Sequence, residues 1–325
     1  MIVEHLGGVR QARAAERAGE AGAGERRRGR DADVVTTAPG RVGIWSPSFA
    51  LNTEDTREAV AELDELGYGA LWIGASADLK LPGELLAATK RLVVATAIIN
   101  VWAVRAADVA VDFHRLAQAH PGRLLLGLGA SHAPAVESLG LEYRRPLSRL
   151  SSYLDELDSL PEPVPADQRI LAALGPKALA LAGRRSAGVH PYLVTPEHTR
   201  AAREILGAGP LLAPEQKVVL ETDPATARAL ARRSVSYYLR LPNYVRNLLA
   251  LGFTEDDVAG DGSDRLIDAL VAWGTPEQVA KRVTEHHDAG ADHVVVQVVS
   301  PAVDVHTRTG RPTREEWRTL ASVLL

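Results

Sequence analysis

Apolar residues recur at two different spacings from Arg41 onward, and this alternation predicts repeated strands and helices. Short apolar runs typical of buried parallel strands are separated by segments with apolar positions at helical spacing. One such helix begins near Thr53 and ends at Gly67, with Ala59, Val60 and Leu63 on one side. We predict eight strands, at Val42–Trp45, Ala70–Ile73, Leu92–Ile99, Leu124–Leu128, Arg169–Ala173, Val189–Val194, Val218–Glu221 and His293–Val299.

Eight strands alternating with helices predict a (β/α)₈ TIM barrel that spans residues 41–325 as one domain. A helical insertion, Leu239–Ile267, interrupts the pattern before the last βα unit. The alternative is an open doubly wound sheet, which should carry GxGxxG after an early strand. The nearest match begins at Gly127, lacks the third glycine and comes late in the chain. The pattern therefore favours the barrel.

Residues 1–40 differ from the rest because they are rich in Ala, Gly, Arg and Glu and contain no aromatic residue. We predict a disordered extension here. The basic run Arg26–Arg28 leaves a nucleic-acid arm as the alternative. No apolar segment typical of a signal peptide follows this run, and no run in the chain approaches the roughly 18 apolar residues of a membrane span. We expect a cytoplasmic protein.

Composition narrows the classes of function. The chain has no cysteine, which excludes disulfides, thiolate catalysis and cysteine zinc sites. Its net charge of −4 predicts neither a nucleic-acid partner nor an anionic membrane partner. The histidines form no HxH or HExxH motif, so we predict no metal site. The five lysines fall in predicted loops, helices or, for Lys217, at a strand edge, which disfavours Schiff-base chemistry.

The barrel mouth, where the carboxyl ends of the strands meet, is the expected site. A serine hydrolase is one alternative, because Gly129-Ala130-Ser131-His132 resembles GxSxG, although the final glycine is missing. The mouth is otherwise mainly apolar. Gly175 and Thr195 each precede a proline that begins a helix, and helix N-termini suit a phosphate. An apolar slot with a phosphate site is typical of a flavin or deazaflavin pocket.

The strand segments together resemble the luciferase-like monooxygenases, particularly their branch that depends on the deazaflavin coenzyme F420. The resemblance covers about residues 41–300 and depends on the order and spacing of several segments. These segments are GRVGIWS, GYGALWIG, LVVATAIINVW, LLLGLGASHAP, ILAALGPKAL, HPYLVTPEHT, GTPEQVAKRV and AGADHVVVQVV.

The resemblance implies a (β/α)₈ barrel, usually dimeric, that binds F420 or FMN at the mouth and acts on a small-molecule substrate. It also implies a non-prolyl cis peptide near Ala97-Ile98, beside the cofactor ring. The implied cofactor-binding residues are Ala97, Ile98, Asn100, Gly129, Ala130 and Ser131 at the ring, and Gly175, Tyr192 and Thr195 at the phosphate.

One position departs from the family pattern. Relatives commonly carry a histidine or an acid just after the second strand, where this chain has Ala75. We expect His132, Ser76 or Asp78 to take over proton transfer, with His132 as the candidate catalytic residue. The implied function is F420-dependent hydride transfer. The alternatives are an FMN-dependent monooxygenase and a cofactor-binding relative with little or no activity.

The aromatic residues of the insertion provide a further expectation. Tyr237, Tyr238, Tyr244 and Phe253 form a lid if their side chains face the mouth, and have a structural role if they pack on the outer helices.

Overall fold

One parallel sheet organises residues 38–325, the part of the chain that the computed structural model describes. The predicted disordered extension therefore lies, up to residue 37, outside the described residues. The strands of this sheet are β1 (Val42–Pro47), β2 (Ala70–Gly74), β3 (Val93–Ala97), β4 (Ile99–Asn100), β5 (Leu124–Gly129), β6 (Arg169–Ala172), β7 (Gly188–His190), β8 (Leu211–Leu212), β9 (Glu215–Val219), β10 (Val271–Trp273) and β11 (Val294–Val298). A separate antiparallel pair is formed by β12 (Val303–Asp304) and β13 (Thr309–Gly310).

Helices connect the strands in the described part. They are α1 (Thr56–Leu66), α2 (Lys80–Ala88), α3 (Ala106–Ala119), α4 (Ala133–Glu137), α5 (Pro146–Asp158), α6 (Pro176–Arg185), α7 (Pro196–Leu206), α8 (Pro224–Val235), α9 (Pro242–Ala250), α10 (Glu255–Val258), α11 (Asp264–Leu270), α12 (Pro276–Asp288) and α13 (Arg314–Leu324).

The sheet closes on itself through β8 and β9. β8 pairs with β7, and β9 pairs with β11, while β1 pairs with both β11 and β2. Only Ala213 and Pro214 separate β8 from β9. The Ala213 amide donates to the Val189 carbonyl (2.9 Å), and the Glu215 amide donates to the Pro191 carbonyl (2.8 Å). The two short strands thus form one barrel position, and the predicted TIM-barrel fold is confirmed.

The interior of the barrel is aromatic at its centre. Trp72 is fully buried, stacks on His190 with the ring centroids 4.6 Å apart, and donates its indole N–H to Nε2 of His293 (3.0 Å). Nδ1 of His293 donates in turn to the Gly40 carbonyl (2.9 Å), since the other ring nitrogen accepts. A larger apolar layer fills the space between the strands and the helices. The interior residues thus join strands from opposite sides of the barrel.

Three of the predicted strands differ from the observed ones by a break or by more than two residues at an end. The third predicted strand is broken between Ala97 and Ile98, and β7 ends at His190 rather than at Val194. The seventh strand was predicted at Val218–Glu221 but is formed by Glu215–Val219. That prediction was wrong because it followed apolar residues, whereas the strand runs through three polar residues that are all buried.

The insertion is helical, as predicted. After α8, a short 3₁₀ turn at Tyr238–Arg240 leads into α9, α10 and α11. The insertion region then adds the unpredicted strand β10, which pairs with β9. The chain returns to the barrel through α12 and β11. The insertion therefore follows α8 and ends at β10, which lies beside β9.

Candidate functional site

The indole of Trp45 forms one wall of the barrel mouth. It lies flat against Gly74 at the end of β2, where a Cβ atom would come within 2.0 Å of the ring. The ring centroid is 5.4 Å from that of Tyr192. Nε1 of Trp45 is buried and has no hydrogen-bond partner among the described residues. Gly74 therefore creates the room for an aromatic wall that presents an unused donor.

The break between β3 and β4 forms the next part of the rim. The Ala97-Ile98 peptide bond is cis, which confirms the position expected from the resemblance. The Ile98 side chain packs against Gly129, where a Cβ would lie 2.9 Å from Cγ1 of Ile98. The Asn100 side-chain oxygen accepts the Trp102 amide (3.1 Å), which fixes the turn after β4. These residues lie together at the rim, and their contact with a cofactor ring stays a prediction.

The loop after β5 is fixed by aromatic donors. Nε1 of Trp102 donates to the Ala130 carbonyl (3.1 Å), and the Tyr143 hydroxyl donates to the Ser131 carbonyl (3.1 Å). Ser131 has a positive φ of 55°. These contacts hold the backbone of the predicted Gly129–His132 loop at the rim. They assign no nucleophilic role to the Ser131 hydroxyl.

His132 points into the mouth, where it meets the insertion. Its ring centroid lies 5.6 Å from that of Tyr244 and 6.4 Å from that of Tyr238. Burial lowers the pKa of His132 to about 4, so its ring is neutral at pH 7. Its Nδ1 atom is buried without a partner in the described chain. A neutral His132 offers a hydrogen bond but holds no ionisable proton at neutral pH.

The insertion places two of its four predicted aromatic residues over the mouth. The ring centroids of Tyr238 and Tyr244 are 5.1 Å apart, and Tyr238 lies 5.2 Å from Tyr192 on β7's outgoing loop. Tyr237 is 37% exposed, and Phe253 packs against the guanidinium of Arg265. The insertion therefore provides an aromatic cover made of Tyr238 and Tyr244.

A polar cluster lies beneath this cover, inside the barrel. Nζ of Lys217 donates to the Tyr192 hydroxyl (2.7 Å), to Oε1 of Gln297 (2.9 Å) and to Oε1 of Glu215 (3.3 Å). The Tyr238 hydroxyl reaches the Tyr192 hydroxyl at 3.0 Å. Lys217 and Glu215 side chains are both 0% exposed. The expected position of Lys217 at a strand edge was wrong, because β9 carries its side chain into the barrel.

Lys217 and Glu215 form a buried pair of opposite charges. Burial lowers the pKa of Lys217 and raises that of Glu215, while each partner counteracts the shift of the other. The second Glu215 oxygen accepts the Leu193 amide (3.0 Å). Three acceptors around Nζ and N–H donors on both carboxylate oxygens match an ammonium–carboxylate pair. The pair is therefore charged, and its hydrogen bonds offset part of its desolvation.

The resemblance implies that Tyr192 contacts the cofactor phosphate, but its hydroxyl has other partners in the structure. Its hydroxyl donates to Gln297 (2.9 Å) and accepts from Lys217, so it points to the centre of the barrel. Burial raises the pKa of Tyr192 well above its ordinary value. A phosphate contact by this hydroxyl is therefore inconsistent with the observed arrangement.

The two predicted phosphate turns are adjacent in space. Nε2 of His198, in α7, bonds to the Leu174 carbonyl at the turn before α6 (2.9 Å). Gly175 begins α6 without a side-chain cap, and its surroundings are open, with no atom within 4 Å of a built Cβ. At α7, hydrogen bonds from the Thr195 hydroxyl and from the backbone N–H of Glu197 itself lower the pKa of the Glu197 carboxyl. A carboxylate thus occupies the α7 end, which leaves the α6 end for an external anion.

The residues after β2 do not supply an obvious acid. Ala75 is exposed and has a positive φ of 54°. The Ser76 hydroxyl is buried and donates to the Ile73 carbonyl (2.9 Å). Asp78 is exposed and accepts the Lys80 amide at the start of α2 (2.9 Å). Both expected substitutes are therefore engaged locally.

The sequence analysis did not predict the inward-facing residues of β9, Glu215 and Lys217. Glu215 and Lys217 are two positions apart, so they face the same side, whereas Gln216 faces outward to His286 (2.9 Å). Two charged residues at a spacing of two in a strand predict a polar inner face. Within the described residues, no group of three or more His, Cys, Asp or Glu is placed to hold a metal. No helix there is long and apolar enough to cross a membrane.

Comparisons with known proteins agree with this geometry. A 5,10-methylenetetrahydromethanopterin reductase of Archaeoglobus fulgidus is 25% identical over 255 residues, which cover 64% of this chain and 77% of that protein. A solved F420-dependent secondary alcohol dehydrogenase, in complex with an F420-acetone adduct, superimposes with a TM-score of 0.64 at 16% identity. The match covers 88% of this chain and 98% of that one.

A flavin enzyme has the same fold. The oxygenating constituent of 3,6-diketocamphane monooxygenase from Pseudomonas putida, in complex with FMN, gives a TM-score of 0.60 at 15% identity, covering 88% and 97% of the two chains. The sequence profile of the luciferase-like monooxygenases matches residues 32–157 and 151–293. The chain therefore belongs to the luciferase-like monooxygenase family.

Proposed function

We propose that this protein transfers a hydride between coenzyme F420 and a small organic substrate. The observation that carries the proposal is the barrel mouth, where the aromatic wall beside Gly74 and the open N-terminus of α6 at Gly175 both lie at carboxyl ends of strands. Such a mouth suits a flat ring with a phosphorylated tail. The reductase relative and the F420-dependent dehydrogenase fold support F420 as the cofactor.

The residues at the mouth divide into two groups in this proposal. Trp45, Ile98, Asn100, Gly129 and Ala130 would hold the ring. The backbone at Gly175 and the first turn of α6, which carries Lys177, would hold a phosphate. The unpartnered N–H of Trp45 fits a polar atom on the ring. The cofactor would supply the hydride, and the chain would bind, orient and exclude water.

The second candidate is an FMN-dependent monooxygenase, which the FMN-bound fold relative favours. A cofactor-binding protein with little activity is the third, and Ala75 favours it because alanine provides no acid or base. We further propose that residues 41–325 form one domain, that Ala97 and Ser131 contribute backbone contacts to the ring, and that the protein is a cytoplasmic homodimer.

Cofactor titration distinguishes these candidates. We expect F420 to bind more tightly than FMN, as measured by absorbance and fluorescence changes on titration of the full chain. Gly175→Asp should weaken binding by roughly tenfold or more, because it adds a negative charge at the helix N-terminus. Thr284→Asp places the same charge on the exposed face of α12 and should leave the affinity unchanged.

The outcomes are separable. Tighter binding of FMN would favour the monooxygenase. Binding of F420 without turnover of any acceptor would favour the inactive relative. Absence of binding to either cofactor would contradict all three candidates.

A further inference from the structure

A chain of hydrogen-bonded groups runs from the barrel mouth into its interior. It begins at the Tyr238 hydroxyl, passes to the Tyr192 hydroxyl at 3.0 Å and continues to Nζ of Lys217 at 2.7 Å. Lys217 is held by Glu215 and Gln297. The chain therefore connects the insertion, the loop after β7 and the inner face of β9.

Exposure falls along this chain. Tyr238 and Tyr192 are partly exposed, whereas Lys217 and Glu215 are 0% exposed. Nζ of Lys217 also lies 4.4 Å from the Tyr192 ring centroid and 5.5 Å from that of Tyr238. Among the described residues, the hydrogen bonds of this buried ammonium lead to partly exposed groups through the two phenol hydroxyls, which gives its proton one short route.

The hydroxyl oxygens allow this route to run outward. Hydroxyl hydrogens rotate to suit their acceptors, so the heavy-atom positions also permit Tyr192 to donate to Tyr238 and Tyr238 to donate to a molecule in the mouth. Tyr238 accepts no hydrogen bond from another described residue. Its oxygen is therefore free to receive the proton that Tyr192 would pass on.

We propose that Tyr238 is the proton donor to the substrate and that Lys217, acting through Tyr192, is the positioning residue that resupplies this proton. This assignment rests on the proposed hydride transfer and deepens it by naming the substrate class, a carbonyl compound that is reduced to an alcohol. It also provides the acid that is missing at Ala75.

The proton balance of the step is closed. The carbonyl carbon gains the hydride from the reduced cofactor, which is oxidised by two electrons, and the carbonyl oxygen gains the Tyr238 proton. Tyr238 takes the Tyr192 proton, and Tyr192 takes one from the Lys217 ammonium. Lys217 becomes a neutral amine, which solvent reprotonates after the alcohol leaves. Phenol hydroxyls suit this task because a carbonyl oxygen develops negative charge as hydride arrives.

The titration of Lys217 depends on the groups that face it. Glu215 faces it from its own strand, Tyr192 from the loop after β7 and Tyr238 from the insertion; the Tyr244 ring packs against Tyr238 and Tyr192. Glu215 alone carries an opposite charge. Carbonyl reduction requires the protonated amine, so activity should be full at lower pH and be lost as pH rises through the pKa of Lys217.

The first measurement uses the free protein and needs no cofactor. Selective ¹⁵N labelling of the five lysines allows the Nζ signal of Lys217 to be titrated, with Lys217→Met identifying it. We expect it to titrate at lower pH than the exposed lysines. Glu215→Gln should lower its pKa further because the compensating carboxylate is removed. Lys281→Met, an exposed change on α12, should leave the signal unchanged.

The second measurement follows oxidation of reduced F420 by a panel of aliphatic and aromatic aldehydes and ketones. The pKa of the kcat/KM profile should equal the ¹⁵N value and should move by the same amount in Glu215→Gln. Tyr238→Phe and Tyr192→Phe should each lower kcat/KM by roughly 10²-fold or more, the size of general-acid catalysis. Tyr237→Phe, the exposed neighbour, should retain the wild-type profile.

Contradicting results are distinct from failure of the proposed function. If F420 binds but the profile does not follow the ¹⁵N pKa, or if Tyr238→Phe retains full kcat/KM, the proton route is wrong. If F420 binds and no carbonyl in the panel is reduced, the substrate class is wrong. If neither F420 nor FMN binds, the proposed function itself fails.

Discussion

Trp45 occupies the volume that a side chain at position 74 would need. The built Cβ at Gly74 would lie 2.0 Å from one ring atom of Trp45 and 2.2 Å from another. The ring is itself held by Tyr192, so it has little room to move away. The glycine is therefore a packing requirement of the mouth.

We expect Gly74→Ala to lower the free energy of unfolding by about 1–3 kcal/mol, because overpacking displaces the indole or the strand. Urea denaturation measures the change. Gly175→Ala is the matched control: its built Cβ meets nothing within 4 Å and its φ is −80°, so its stability should match the wild type. Equal unfolding midpoints for Gly74→Ala and the wild type would contradict the packing argument.

Individual residues were the part least accessible to sequence analysis. The break at Ala97-Ile98 and the adjacent Asn100 were placed by the resemblance and not by spacing. Lys217 was assigned to a strand edge because apolar runs were used to define strands. In the structure a carboxylate, a phenol and an amide satisfy its charge inside the barrel. Pairing of this kind offsets part of the burial cost that hydrophobic patterning assigns to a charged residue.

Helix starts were the elements that the sequence specified most directly. At α12, Thr275 accepts the Gln278 amide while the Gln278 side chain accepts the Thr275 amide, and Pro276 occupies the first helical position. Both partners of this capping box lie within four residues. The sequence therefore contains the whole interaction.

Thr275→Ala should destabilise the protein by about 1 kcal/mol, since one N-terminal amide of α12 loses its acceptor. The shift of the unfolding midpoint in urea measures the effect, provided that the dependence of the free energy of unfolding on urea concentration is unchanged. Thr284→Ala on the exposed face of the same helix should be neutral or slightly stabilising, because alanine favours helix more than threonine does. Similar losses in both variants would indicate that the cap contributes nothing.

The ends of strands were harder to predict from the sequence than the starts of helices. β7 stops at His190 because Leu193 takes a positive φ of 56° and its amide turns to the Glu215 side chain. That contact joins residues from different barrel positions. An apolar run such as Val189–Val194 contains no sign of it.

At the scale of the whole molecule, the buried histidines of the described chain include three whose pKa is lowered far enough to keep them neutral at pH 7. Burial lowers the pKa of His190 to about 4 and those of His286 and His293 to about 3. In the unfolded chain a histidine has a pKa near 6.5. The unfolded state therefore binds more protons below that pH, and folding stability falls as the solution is acidified.

We expect full stability above about pH 6.5 and a loss below it that approaches about 1.4 kcal/mol per pH unit for each of these histidines. Urea unfolding at several pH values between 7.5 and 5 measures the slope. His286→Gln should make the slope shallower, whatever its effect on stability at pH 7.5. His306→Gln, at an exposed position, should leave the slope unaltered. An identical slope in the His286 variant would contradict the linkage.

The fold class could be predicted from the sequence because the unit of one strand and one helix repeats along the chain. Eight strand-and-helix units carry the same information many times, so errors of a few residues at single strands do not alter the architecture. The site was accessible only in part. Its backbone positions follow from the strand ends, whereas its hydrogen-bond partners depend on which side chains from distant segments meet inside the closed barrel.

The pairing of β1 with β11 also has a consequence for biosynthesis. Val42 lies opposite Val294, so β1 leaves the ribosome long before β11, its partner on one side. Until β11 is made, β1 presents an open edge that is able to pair with another nascent chain. Completion of the barrel during translation is therefore a late event, and the growing chain depends on protection of that edge until it occurs.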